Sequence, residues 1–103
     1  MPEWVKVGEV GELAEGQMKV VWVKRHEILL INSGGRYYAI GNRCTHQGGL
    51  LQYGKLQGDA IECAMHGSKF DIRTGEVVAD PAWISETAYR LEAAPNGINI
   101  ELA

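Results

Sequence analysis

The sequence predicts an all-β protein, an antiparallel sandwich or small barrel interrupted near its middle by an irregular, glycine-rich segment. Three observations carry this reading. Short runs rich in β-branched and aromatic residues recur along the chain, thirteen glycines punctuate them, and no stretch has the apolar spacing of an amphipathic helix. "GELAEG" (11–16) has room for one helical turn at most. The 103 residues fit one domain, 1–103, with a modest core to which a bound metal would add stability.

Taken in order, "MKVVWVKRHEILLI" (18–31) reads as two strands, with the charged stretch Lys24–Glu27 as the turn between them. "NSGG" (32–35) turns the chain into a strand at "RYYAIG" (36–41). "DAIEC" (59–63) and "KFDI" (69–72) are short strands, and "RTGE" (73–76) is the turn after them. Near the end Tyr89, Leu91 and Ala93 alternate with polar residues, "PNG" (95–97) turns, and Ile98, Ile100 and Leu102 alternate again. That pattern is a hairpin with one buried face.

Composition excludes several classes. Hydrophobic residues make up 46%, charged residues 22%, and the formal net charge is −3, so no basic surface for nucleic acid is expected. No apolar run approaches the roughly 18 residues that span a bilayer. "MPEWVKVGEV" has neither the basic nor the apolar part of a secretory signal. Two cysteines form one disulfide at most, which is no disulfide-dense secreted scaffold. The cytoplasm is the expected compartment, with no membrane partner.

Both cysteines, and two of the three histidines, fall in two short motifs. "RCTHQGG" (43–49) places Cys44 and His46 as C-x-H; after sixteen residues "CAMHGS" (63–68) places Cys63 and His66 as C-x-x-H. Two thiolates and two imidazoles suit zinc or an iron–sulfur centre. Zinc knuckles usually pair like with like, whereas each half-site here holds one cysteine and one histidine. Such mixing makes sense when two loops clamp a two-metal cluster, each giving a cysteine to one iron and a histidine to the other.

"CTHQGG", "CAMHGSKFD" and the following "FDIRTGE" (70–76) resemble the cluster-binding loops of Rieske proteins, and the small size resembles the Rieske-type ferredoxins of bacterial ring-hydroxylating dioxygenase systems. The specific motifs lie within about 41–75. The resemblance implies the Rieske iron–sulfur fold, in which a cluster-binding subdomain of two Gly-rich loops is inserted into the β-sandwich. It implies one [2Fe–2S] cluster, with Cys44 and Cys63 on the buried iron and His46 and His66 on the outer iron. Neutral imidazole in place of thiolate makes reduction easier than at an all-cysteine cluster. Gly48, Gly49 and Gly67 are expected to turn backbone amides toward the bridging sulfides, besides permitting tight turns.

The chain departs from the respiratory branch of the family. The two further cysteines that cross-link the loops there match Gly49 and Met65 here. Of the two hydroxyls that raise the potential there, Ser68 is kept and Phe70 stands where the tyrosine would be. A potential below the respiratory class is expected, and it should fall at alkaline pH as the ligating imidazoles lose a proton.

By the same resemblance the chain is an electron carrier and not an enzyme. It would take one electron at a time from an NAD(P)H-dependent flavoprotein reductase and pass it to a terminal oxygenase, as a monomer. His26 is the one histidine left, too few for a two-His–one-carboxylate oxygenase iron, and its charged surroundings suit a solvated turn. Two other readings use the same four ligands. One is a small subunit of a nitrite reductase-type complex, which a stable stoichiometric complex would favour. The other is a zinc-binding structural module, which a colourless protein with one zinc would favour.

The remaining residues of note have plain roles. Arg43, Lys55, Lys69 and Arg73 are expected as solvated surface, with docking of an acidic partner as the alternative. Glu3, Glu9, Glu12 and Glu15 are solvated, and Trp4, Trp22 and Trp83 are core or edge packing. Leu50 and Leu51 either shield the cluster or form an apolar patch, and Pro81 is a turn residue first.

Overall fold

The computed structural model describes residues 3–45, 49–65, 67–80, 82 and 84–102, so His46, Gly48, His66, Pro81 and Trp83 lie outside the described residues. Its strands build three antiparallel sheets. β1 (Glu3–Gly8), β11 (Gly97–Leu102) and β10 (Leu91–Ala94) form the first, in that spatial order. β2 (Met18–Val23), β3 (His26–Ser33), β4 (Arg36–Gly41) and β9 (Ala88–Tyr89) form the second. β5 (Lys55–Gln57), β6 (Ala60–Glu62), β7 (Lys69–Asp71) and β8 (Val77–Ala79) form the third. The predicted all-β class with antiparallel sheets holds.

β3 explains how the layers fit. Its side chains alternate between faces, as strand geometry requires. Ile28 and Leu30 enter one core with Val23, Ala39, Ile98, Ile100 and Leu102. Leu29 and Ile31 enter another with Ile40, Leu51, Ile61, Phe70 and Ile72. A strand buried on both faces loses the apolar–polar alternation, and "ILLI" reads as a continuous apolar run for that reason.

The turns follow local chemistry, with two adjustments to expectation. The interruption expected over Lys24–Glu27 narrows to Lys24–Arg25, because His26 and Glu27 pair with Val23 and Trp22. Lys24 takes the left-handed conformation there (φ 57°). At the end of the chain Ile98, Ile100 and Leu102 are buried as expected, but Ala93 is exposed, so the alternation of β10 does not reach its last turn. "GELAEG" forms no helix; among the described residues helical structure is confined to a 3-10 turn, η1 (Leu51–Tyr53). Trp4 and Trp22 are exposed on the edge strands β1 and β2, which settles edge over core for both.

Candidate metal centre

Cys44 follows the end of β4, and Cys63 follows the end of β6. Both side chains are buried, within the same apolar cluster as Leu51, Ile61, Phe70 and Ile72. They are not joined in a disulfide. Two thiols from distant parts of the chain therefore converge in a region shielded from water.

Backbone hydrogen bonds close each loop. The Cys44 N–H donates to Gly49 O at 2.6 Å, and Arg43 and Leu50 form an isolated bridge. The Cys63 N–H donates to Ser68 O at 2.7 Å, and the Gly67 N–H to Cys63 O at 3.1 Å. Gly67 has φ +80°, a conformation that side chains resist, so glycine is required for this turn. The loops also touch each other. A Cβ on Gly49 would lie 3.3 Å from Cys63 Sγ and closer still to Met65, so a bare backbone is what lets them meet.

Asn42 anchors the base of the first loop. It is fully buried and every polar group of it is used. Its side chain donates to Glu27 Oε2 and Gln52 Oε1, both at 2.9 Å, and accepts the Gln52 N–H at 3.0 Å. Its carbonyl accepts the Leu51 N–H at 2.7 Å, tying the two ends of the loop together.

A third segment covers both loops. The Ala82 N–H donates to Ser68 Oγ at 3.0 Å, and Thr45 Oγ1 donates to Ile84 O. Ser68 is completely buried and its oxygen is used as an acceptor, which leaves the hydroxyl proton to be donated elsewhere. The segment continues into Glu86, a buried carboxyl whose pKa is pushed up to about 7 by loss of water, partly offset by the backbone N–H of Thr45. Neither Glu86 nor Asn42 was legible as a site residue. "NR" and "SET" read as ordinary loop composition, and only burial distinguishes them.

The other candidates sort cleanly. Leu51 is core and Leu50 is half-buried, so this pair shields the site. Phe70 is fully buried in the cluster that holds the cysteines. Arg43 pairs with Glu27 at 2.9 Å and Arg73 with Asp71 at 2.9 Å, while Lys55 is exposed and Lys69 half-buried. The guanidinium of Arg73 holds the Asp71 carboxyl below its ordinary pKa. Glu3, Glu9 and Glu12 meet Lys24, Lys6 and Lys19 in exposed pairs, and Glu15 is exposed. His26 opens β3 and is exposed, with its Nδ1 3.3 Å from the Tyr89 hydroxyl. Tyr53, Met65 and Ile84 are exposed apolar side chains on the segments around the two loops.

The family model for the Rieske [2Fe-2S] domain matches residues 3–90. The chain belongs to the Rieske [2Fe–2S] family. It is similar to the ferredoxin component of biphenyl 2,3-dioxygenase from Rhodococcus jostii (strain RHA1), with 31% identity covering 94% of this chain and 91% of that protein. Among solved structures it resembles the ferredoxin of carbazole 1,9a-dioxygenase from Nocardioides aromaticivorans IC177, with TM-score 0.89, 29% identity, and 94% and 95% of the two chains covered. It also resembles a chain of the complex of reduced oxygenase and oxidised ferredoxin in carbazole 1,9a-dioxygenase, with TM-score 0.87, 28% identity, and 94% and 91% covered.

The Rieske domain makes the cofactor a Rieske-type [2Fe–2S] cluster, and the relatives matched over nearly their whole length are ferredoxin components, electron-transfer proteins and not catalysts themselves. The local chemistry fits that group. Two buried thiols are soft donors of the kind such a cluster takes, Gly49 leaves room beside Cys63 Sγ, and Ser68 has a proton to donate.

Proposed function

We propose that this Rieske protein carries single electrons from an NAD(P)H-dependent flavoprotein reductase to a terminal oxygenase. Cys44, His46, Cys63 and His66 are its cluster ligands, and Gly48, Gly49, Gly67 and Ser68 line the cluster. The observation that carries this assignment is the presence of Cys44 and Cys63 in one buried cluster, each at the head of a cysteine–histidine motif. The whole chain, 1–103, then acts as one domain, with the two loops and the β5–β8 sheet as its cluster-binding part.

The cluster supplies one reversible oxidation–reduction step when bound. The protein's own residues set the conditions for it. Leu51, Phe70 and Ile72 exclude water from the thiolates. Ser68 offers a hydroxyl hydrogen bond that favours the more negative, reduced state. Tyr53, Met65 and Ile84 give the surface beside the loops an apolar character suited to transient contact with a redox partner. The relatives named above are ferredoxin components of oxygenase systems, and this favours a separate carrier over a fixed reductase subunit.

No helix of the described residues is long and apolar enough to cross a membrane. We assign the protein to the cytoplasm as a monomer, where two unbridged cysteines and a labile cluster suit a reducing medium.

The test is an EPR spectrum of the dithionite-reduced protein, with iron and zinc measured on the same sample. A rhombic signal of mixed cysteine–histidine ligation with about two irons per chain is expected. His66→Cys should shift that signal toward an all-cysteine centre and lower the potential. A silent spectrum with zinc in place of iron would overturn the ligand assignment. The carrier role is checked separately, by reduction with NAD(P)H and a flavoprotein reductase and by reoxidation with an oxygenase. Failure at both steps would overturn it.

A further inference from the structure

Glu86 lies against the first cysteine–histidine loop in surroundings that are hard to explain by packing alone. It is 8% exposed, and among the described residues its Oε2 has no hydrogen-bond partner. An orphaned buried carboxylate oxygen is costly, so it calls for a ligand or a proton. Two glycines make the space it occupies. A Cβ on Gly41 would lie 2.6 Å from Glu86 Oε1, and a Cβ on Gly75 would lie 2.1 Å from the Glu86 carbonyl oxygen. The Glu86 N–H is fixed to Gly75 O at 2.7 Å. Its carboxyl is approached by the backbone N–H of Thr45, the residue between Cys44 and His46.

The residue also borders a route to solvent. Glu86 lines an open cleft with Trp22, Arg25, His26, Arg43 and Tyr89. The charged and titratable groups facing it are Arg25, from the β2–β3 turn; His26 and Glu27, from β3; Arg43, beyond β4; and Tyr89, from β9. Arg43 is already paired with Glu27 at 2.9 Å, and Gly75 meets Glu86 through backbone atoms. A second metal ion is a poor occupant of a cleft that holds two arginines. A proton is the cation that fits.

We propose that Glu86 is a proton-binding site coupled to the cluster, taking up a proton from the cleft when the cluster is reduced. The electron comes from the redox partner. The proton leaves hydronium or buffer acid in the cleft, and a new O–H bond forms at the Glu86 carboxylate. One negative and one positive charge enter together, so the buried region gains no net charge. Electrostatic reciprocity supplies the coupling: a negative charge added to a cluster held by the loop that contains Thr45 would make a carboxylate touching that loop harder to keep ionised. The neutral form is already favoured by burial, which brings the change close to neutral pH. This site differs from the imidazole ligands, whose deprotonation belongs to the alkaline range.

The inference rests on the ligand assignment proposed above, and the experiment separates the two. Midpoint potentials of the holoprotein and of Glu86→Gln are measured electrochemically from pH 5.5 to 8.5, with EPR on the same samples. In the unaltered protein the potential is expected to fall as pH rises through neutrality. In Glu86→Gln it should stay flat over this window and lie above that of the unaltered protein at pH 8. Proton uptake on reduction, followed in weakly buffered solution at pH 7.5, tests the unaltered protein alone and does not depend on the variant folding. Equal slopes in the two proteins, or no uptake in the unaltered one, would overturn the proposal. Absence of a Rieske EPR signal would instead overturn the ligand assignment, and this inference with it.

Discussion

Gly49 and Met65 meet where the two cysteine–histidine loops cross: a Cβ on Gly49 would lie 2.7 Å from Met65 Sδ and 3.1 Å from Met65 Cγ. These are the positions that match the cross-linking cysteines of respiratory relatives. The proximity persists here without the covalent bond, maintained by backbone closure and packing.

That proximity predicts that Gly49→Cys with Met65→Cys will form a disulfide on mild oxidation. Closing a loop of roughly 15 residues should stabilise the fold by about 3 kcal/mol in the chain-entropy description. Thiol counting and urea denaturation, each with and without reductant, check it. Persistent free thiols under oxidation would show that the two backbones do not approach as closely as the structure has them.

Ser68 and Phe70 predict opposite shifts in potential. Ser68→Ala removes a buried hydroxyl and leaves the Ala82 N–H without its acceptor, so the potential should fall and stability should drop by about 1–3 kcal/mol. Phe70→Tyr places a hydroxyl inside the cluster that holds both cysteines and should raise the potential. Voltammetry on both variants decides; no change or a fall in the tyrosine variant would count against the second shift.

Asn42 predicts a stability effect out of proportion to its size. Asn42→Ala removes the side-chain bonds to Glu27 and Gln52 and leaves buried partners unsatisfied, a loss of about 3 kcal/mol. Urea denaturation measures it, and faster loss of the cluster's visible absorbance should accompany it. A loss under about 0.5 kcal/mol, the size of an ordinary surface change, would refute the anchoring role.

Glu86 also makes folding stability depend on pH. Its folded pKa of about 7 lies above the ordinary 4.5, so the folded state holds more protons between those values. Stability from this group is therefore complete at acid pH and is lost as pH rises from about 4.5 to 7. The loss stays below about 3.4 kcal/mol, at roughly 1.36 kcal/mol per pH unit between those values, and solvent screening in the open cleft reduces it further. Glu86→Leu should remove this slope. Denaturation of the oxidised protein at pH 5 and pH 8 tests the sign, and a gain in stability over that interval due to Glu86 would contradict it.

Much of this was legible in the sequence for identifiable reasons. β-Branched runs and glycine turns mark β3, β4, β6, β7 and β11, because each buries apolar side chain; β2 is marked by its β-branched run alone, since only Val23 of it is buried. β1, β5 and β8 leave little, being edge strands in their sheets with mostly exposed or half-buried residues. At the candidate site, the cysteine–histidine motifs announce themselves by spacing. Asn42 and Glu86 do not, since a buried polar residue differs from a solvated one only by what folds over it. The cover over both loops comes from residues 82–86, far from Thr45 in sequence, and no local pattern encodes that contact.

The strand pairings also order the events of folding. β5 to β8 pair only with sequence neighbours, whereas β1 finds its partner in β11, with Glu3 opposite Leu102. Loop closure disfavours the distant pairing most, so the meander around Cys63 is expected to form early and the β1–β11 pairing to close last. During synthesis, β1 waits as an unpaired edge until the final strand has been made, while the meander that carries one of the two thiols is already complete.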